Sequence, residues 1–277
     1  MASKPDLPFA EKPAASSAGG LRVFLTGASS GIGAAFARHY AARGATLGLL
    51  ARRTEVLQDL ARTLTQQYGV VVHCYGADVA DAQAVGAAAH HFLQQAGVPD
   101  VVIANAGISV GTLAEEAEDL AAFRRVMEVN VLGVVHTLSP FVAAMKQAGR
   151  GRLVGVASVA GVRGLPGAGA YSASKAAVVK LLESLRVELR GSGVKVVTLA
   201  PGYIETPMTD VNDYPMPFIL PVDEAVRRMA RAIDAGRRQA TVPWQMALVA
   251  RLMAWLPGAI YDRLAARAGR KPRGLRS

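Results

Sequence analysis

An α/β fold, a doubly wound parallel sheet of about seven strands with helices on both faces, follows from three features of this chain. Short apolar runs alternate with segments of helical period from Leu21 to Val242, the pattern of successive βαβ units. No linker and no repeat beyond that alternation interrupts the series, so one sheet takes all the strands. The apolar runs end in small and polar residues, at the edge where an open parallel sheet collects ligands.

The totals support one packed unit. Of 277 residues, 51% are hydrophobic and 19% charged, which suits a core and argues against disorder. Cys74 stands alone, so an internal disulfide and a thiolate metal cluster are both excluded, and the usage fits a reducing compartment. His90 and His91 are adjacent and cannot share a helix face, so no metal site is expected. The net charge is +10, and from Arg251 onward seven basic residues face one acid, Asp262. A basic tail serves an anionic membrane surface, nucleic acid or solubility. No zinc-finger spacing, RNP-like aromatic motif or helix-turn-helix accompanies it, so nucleic acid is set aside.

Residues 1–20 lack periodicity and an apolar h-region, and read as a flexible leader without a secretory signal. Leu21 to Thr26 is a strand candidate that runs into G-A-S-S-G-I-G, Gly27 to Gly33, and then into a good helix. That order sets backbone N–H groups at a helix N-terminus, where a pyrophosphate is favoured. Gly27 permits the tight turn, Gly31 a close backbone approach and Gly33 close helix packing. Ala45 to Leu50 is the second strand, ending in Arg52 and Arg53 with no acid before Glu55. An acid there would bind ribose hydroxyls and favour NAD. A guanidinium instead clamps a 2′-phosphate, so the expectation is NADP(H), with two solvated arginines as the other reading.

Val70 to Tyr75 is the third strand and ends in G-A-D-V, where Asp78 can accept from an adenine amino group. Asp81 to Gln95 is helical. Asp100 to Ala104 is a strand ending in Asn105, Ala106 and Gly107, small enough for backbone to lie flat on a cofactor. Leu120 to Met145 reads as one long helix with Asn130 in mid-run. Asn is a poor interior helix residue unless its amide is used; a local kink and a water beside Lys175 are expected.

Leu153 to Ala157 is a buried strand ending at Ser158, whose hydroxyl points into the crevice. Tyr171 and Lys175 follow, four residues apart on one helix face; taken alone such a pair reads as a surface tyrosine and a solvated lysine, and the motifs before it give it a further use. An ammonium beside a phenol lowers its pKa from about 10 toward working pH, and a phenol so tuned exchanges a proton with a carbonyl or alcohol oxygen. Val194 to Leu199 is a strand closed by Pro201 and Gly202, with Thr206 placed to reach a phosphate or a nicotinamide amide. Residues 209–220 read as a flap over the crevice, 223–235 as a helix and 239–242 as a last strand.

Trp244 to Leu256 is apolar, and Pro257 separates it from a second helical stretch with Arg263 and Arg267. It is too short and too interrupted to span a bilayer. Packing on a partner subunit or the pocket is one reading, and a place at a membrane surface is the other.

Together these residues resemble the short-chain dehydrogenase/reductase family. The likeness runs from Leu21 to Val242 and rests on T-G-A-S-S-G-I-G, D-V at 78–79, N-A-G at 105–107, Asn130, Ser158, Y-S-A-S-K at 171–175, and P-G with Thr206. It implies an NAD(P)-dependent oxidoreductase on a Rossmann fold. Hydride would pass between nicotinamide and a carbonyl or secondary alcohol, with Asn130, Ser158, Tyr171 and Lys175 as the catalytic tetrad. Cofactor-binding positions would be Gly27, Ser29, Ser30, Gly31, Ile32, Gly33, Arg52, Arg53, Asp78, Val79, Asn105, Ala106, Gly107, Tyr171, Lys175, Pro201, Gly202, Ile204 and Thr206. The resemblance also implies a homodimer or homotetramer, expected in the cytoplasm and possible at a membrane through 244–277. Ala104, where many members carry Asn, and the basic tail depart from the family pattern. The expected layout is a leader (1–20), a catalytic domain (21–243) and a C-terminal extension (244–277), with mostly apolar pocket walls suggesting an apolar or lipid-like substrate. A non-catalytic NADP(H)-binding sensor or scaffold is the alternative, since this fold supports that too.

Overall fold

The computed structural model describes residues 20–267, 269 and 273. The expected leader, 1–20, lies outside them except for Gly20, as do Arg270, Lys271 and Arg276 of the basic tail.

Among the described residues, seven strands form one parallel sheet in the order β3-β2-β1-β4-β5-β6-β7. They are β1 (Arg22–Thr26), β2 (Thr46–Ala51), β3 (Val72–Gly76), β4 (Val101–Ala104), β5 (Gly151–Val156), β6 (Val194–Pro201) and β7 (Gln239–Val242). Chain order reverses between β1 and β4, which opens a crevice beyond their carboxyl ends. Helices α1 (Gly31–Ala41), α2 (Thr54–Tyr68) and α3 (Ala82–Ala96) follow the first three strands. Next come α4 (Asp119–Met127), α5 (Gly133–Gln147), α6 (Gly169–Glu188) and α7 (Val222–Asp234). The chain then adds α8 (Trp244–Trp255) and α9 (Gly258–Ala265).

Alternation along β1 builds two cores, because successive strand side chains point to opposite faces. Val23 and Leu25 join Phe36 of α1, Leu57 of α2 and Met229 of α7 on one side. Phe24 joins Phe92 of α3, Phe141 of α5 and Leu182 of α6 on the other. The Phe24 ring lies 4.9 Å from Phe141 and 5.5 Å edge-on to Phe92, spacing that favours aromatic pairs.

The long helix expected over 120–145 is interrupted where Asn130 was singled out. Between α4 and α5 the chain makes a π-helical turn, Glu128–Leu132. A π turn inserts one residue into the helical ladder and marks functional sites. The whole run Asp119–Gln147 is long and apolar enough to cross a membrane, but Val126, Val129, Val134, Leu138, Phe141 and Met145 are buried. It is a core helix of the sheet's second layer.

Candidate active site

The glycine-rich turn closes against the end of β4. Gly27 and Gly31 hold φ of +69° and +51°, the left-handed region that glycine enters without cost. A Cβ on Gly27 would stand 2.7 Å from Cα of Ala106, and one on Gly33 2.0 Å from the carbonyl of Gly27. Asn105 Nδ2 donates to the carbonyls of Thr26 (3.1 Å) and Gly27 (3.2 Å). The Thr26 hydroxyl oxygen accepts from the amides of Asn105 (3.3 Å) and Ala106 (3.4 Å). The two strand ends that flank the crevice are thus tied to each other. Ser30 begins α1 in extended backbone and its side chain caps nothing, so first-turn amides remain to meet an anion.

Beyond β2 the two arginines differ. Arg53 donates to the hydroxyls of Ser29 (3.1 Å) and Ser30 (2.8 Å) and is tied to the turn. Arg52 is exposed, with Asp78 3.9 Å away. Asp78 accepts from the amide of Ala80 at 2.9 Å and pairs with Arg125 of α4. Burial pushes the Asp78 carboxyl up, but the Ala80 amide and the Arg125 guanidinium outweigh it and hold it below its ordinary value.

Ser158, Tyr171 and Lys175 come together at the carboxyl end of β5. Ser158 is hydrogen-bonded to Tyr171, and its hydroxyl oxygen also accepts from the amide of Ala160 at 3.1 Å. Lys175 is buried; its Nζ donates to the carbonyl of Val156 at 2.8 Å and lies 5.6 Å from the centre of the Tyr171 ring. Asn130 is fully buried and clamps the loop after β4: its Nδ2 donates to the carbonyl of Ile108 (2.9 Å), and its Oδ1 accepts from the Ile108 amide (2.8 Å). The same Nδ2 donates to the hydroxyl of Ser174 at 3.0 Å, which joins the π turn to α6 one residue before Lys175.

The electrostatics correct one expectation. The ammonium was expected to pull the phenol down. Instead burial pushes Tyr171 up, opposed by the hydrogen bond from Ser158. Burial also pushes Lys175 down, to about 8. Desolvation is the first cause of both shifts. A stability prediction follows. Lys175 keeps its proton to about 8 when folded and to its ordinary 10.5 when unfolded. Between those values the unfolded chain binds more protons, so the Lys175 contribution stabilises the fold as pH rises through the window. Below it the buried ammonium carries its full cost. Thermal unfolding of the nucleotide-free parent and of Lys175→Met, followed from pH 8 to 10, should show the parent gaining on the variant. A flat difference would contradict the desolvation.

Two cavities meet at Tyr171. The first, about 270 Å³, is a cleft running from the glycine turn past Arg52, Arg53 and Asp78 to Lys175. Most of the cofactor-binding positions read from the sequence line it, and Gly33, Gly202 and Ile204 do not. Gly33 lies beneath the turn, against the Gly27 carbonyl. Gly202 and Ile204 line the second cavity, because the chain turns away from the cleft after Pro201. That cavity, about 470 Å³, is bounded by Ser158, Val159, Leu165, Tyr203 and Tyr214. Tyr171, Pro201 and Thr206 line both. The sequence offers 109–113, 159–165 and 203–220 as pocket walls; of these the second cavity takes Ser109, then Val159, Ala160, Arg163 and Leu165, and residues from Tyr203 to Pro217 but none of 218–220.

Of the readings for 244–256, packing on the pocket is met: Met246, Val249 and Met253 of α8 line the second cavity, residues the sequence did not single out. Sequence reasoning also missed Arg125 and Ser174, whose bonds to Asp78 and Asn130 span 47 and 44 positions. Ser174 had a signal, since it lies within Y-S-A-S-K; Arg125 is one charge among several on its helix and had none.

Comparison with known proteins agrees with this architecture. The profile of the family described as short chain dehydrogenase matches residues 22–214. An uncharacterized oxidoreductase of Myxococcus xanthus is 40% identical over 243 residues, 88% of this chain and 95% of that protein. The crystal structure of a short chain dehydrogenase/reductase from Burkholderia phymatum in complex with NAD is similar with a TM-score of 0.77 and 27% identity, covering 93% of this chain and 99% of that one. L-sorbose reductase from Gluconobacter frateurii, complexed with NADPH and L-sorbose, gives a TM-score of 0.72 at 26% identity, covering 81% and 95%. The chain belongs to the short-chain dehydrogenase/reductase family of oxidoreductases.

Proposed function

We propose that this protein is an NADP(H)-dependent oxidoreductase that moves a hydride between the nicotinamide and a carbonyl or secondary alcohol of an apolar substrate. The observation that supports it most is the placing of Tyr171 on the wall shared by the cleft that runs from the glycine turn past Arg52 and a mostly apolar cavity. The cleft fits a dinucleotide on its own terms. Glycines stand where a Cβ would block the turn, α1 offers its N-terminal amides, and Arg52 is exposed where β2 ends.

When bound there, the nicotinamide donates or accepts the hydride. The residues of the chain supply the rest. Burial favours the neutral form of the Tyr171 phenol, the form that would give a proton to a carbonyl oxygen in reduction; the phenolate is the form that would take one back in oxidation. Ser158, hydrogen-bonded to Tyr171, would orient that oxygen. Lys175 would hold ribose hydroxyls with an ammonium already against the tyrosine ring. Asn130 would fix the loop floor on which the cofactor lies. The test is substrate-dependent NADPH oxidation across a panel of apolar ketones and aldehydes. Tight NADPH binding without turnover of any of them would favour a sensor or scaffold instead.

Cofactor choice rests on Arg52, since Arg53 is engaged by Ser29 and Ser30. Arg52→Ala should weaken NADPH by about 1.5–3 kcal/mol, the worth of hydrogen bonds to a charged group, and leave NADH nearly unchanged. Titration of both cofactors checks it, and an equal loss for the two would make Arg52 a bystander.

A further inference from the structure

Helix α8 is apolar on two sides. Met246, Val249 and Met253 line the second cavity. Trp244, Leu248, Leu252 and Trp255 are exposed, the two tryptophans at 62% and 88% and Leu252 at 70%. Their spacing of four, four and three residues is one helix stripe. Ile260 and Leu264 of α9, also one turn apart, are exposed too. Six of the fifteen large apolar side chains exposed on the described residues therefore fall within 244–264, which is a concentration and not the single scattered residues normal on a surface.

The charge on the same segment says what covers it. Arg251 and Arg263 are exposed, Arg267 is exposed at the edge of the second cavity, and Asp262 is the one acid between 244 and 267. Among the described residues none of these three arginines forms an ion pair. A second copy seated on this stripe would bring two sets of guanidiniums toward each other. Anionic headgroups would complement them, while the indoles take the boundary between headgroup and acyl chain that tryptophan favours.

We propose that α8 and α9 dock flat on an anionic phospholipid surface, with α8 set between the lipid and the second cavity. This reading does not depend on the catalytic one. The chain has two tryptophans, Trp244 and Trp255, so tryptophan emission, excited at wavelengths its seven tyrosines do not absorb, reports on this stripe alone. Vesicles of phosphatidylcholine with and without phosphatidylglycerol, titrated into the protein, should shift the emission to the blue and co-sediment the chain only when the anionic lipid is present. Added salt should reverse both. Leu252→Glu and Trp255→Glu, on exposed positions that line neither cavity, should each lower vesicle partitioning by about tenfold or more and leave NADPH binding as it was. Three outcomes would overturn the proposal. One is no shift with either vesicle, and another is equal partitioning into both. The third is a blue shift that grows with protein concentration in the absence of lipid and is abolished by Leu252→Glu, which would identify a second copy as the occupant.

Discussion

Tyr171→Phe is expected to lower kcat for carbonyl reduction by about 10²–10⁴-fold, the range by which a positioned general acid contributes, while the affinity for NADPH stays near that of the parent. The variant removes one oxygen and keeps the ring that fills the corner between the two cavities. Lys175 keeps its bond to the Val156 carbonyl, because that bond does not pass through the phenol. Ser158 loses its Tyr171 partner but still accepts from the Ala160 amide, so the fold should lose no more than about one hydrogen bond, near 1 kcal/mol. Single-turnover NADPH oxidation separates the chemical step from binding, and a melting temperature close to that of the parent confirms that the loss is chemical. Turnover equal to the parent would remove Tyr171 from its assigned role. Loss of NADPH binding together with activity would mean that Tyr171 shapes the nucleotide cleft instead of acting on the substrate.

What could be read in the sequence was local. The glycine turn, the strand ends and the Tyr171–Lys175 pair each sit within a few residues of their structural cause, so their spacing reported their geometry. Asn130 could be read as well, because an amide in mid-helix has no use unless the helix breaks there, and the structure breaks it with a π turn. The balance of forces on Tyr171 could not be read. A neighbouring charge is visible as a spacing, whereas desolvation depends on everything that closes over the site, and here burial dominates the shift of both Tyr171 and Lys175. The inner face of α8 was hidden for a similar reason. Apolar residues ring that helix, so no polar side marks which part turns inward. Only its position after β7 brings Met246 and Met253 to the cavity. Its docking on the loop after β5 was equally out of reach, since Arg163 donates to the carbonyl of Leu256, 93 positions away, at 2.7 Å.

Gly33→Ala should remove both stability and nucleotide binding, and the cause is a single methyl group. The added carbon would lie 2.0 Å from the carbonyl oxygen of Gly27 and 2.7 Å from Nδ2 of Asn105. The first contact is with backbone and cannot be relieved by a rotamer change. Either α1 lifts from β1 or the turn moves, and the second option strains the bonds by which Asn105 holds the carbonyls of Thr26 and Gly27. Overpacking of this kind costs about 1–3 kcal/mol, or roughly 2–4 °C in melting temperature per kcal/mol for a chain of this size. Because the displaced atoms carry the amides that would meet a pyrophosphate, NADPH affinity should fall by a larger factor than stability alone explains. Gly86→Ala is the matched control. It lies inside α3 with nothing within 4 Å of the added carbon, so it should raise stability by about 0.5–1 kcal/mol, the helix-interior gain of Ala over Gly, and leave NADPH binding unchanged. If Gly33→Ala melted and bound NADPH like the parent, the turn would be free to shift without cost. The close fit of α1 against β1 would then not be what positions the nucleotide.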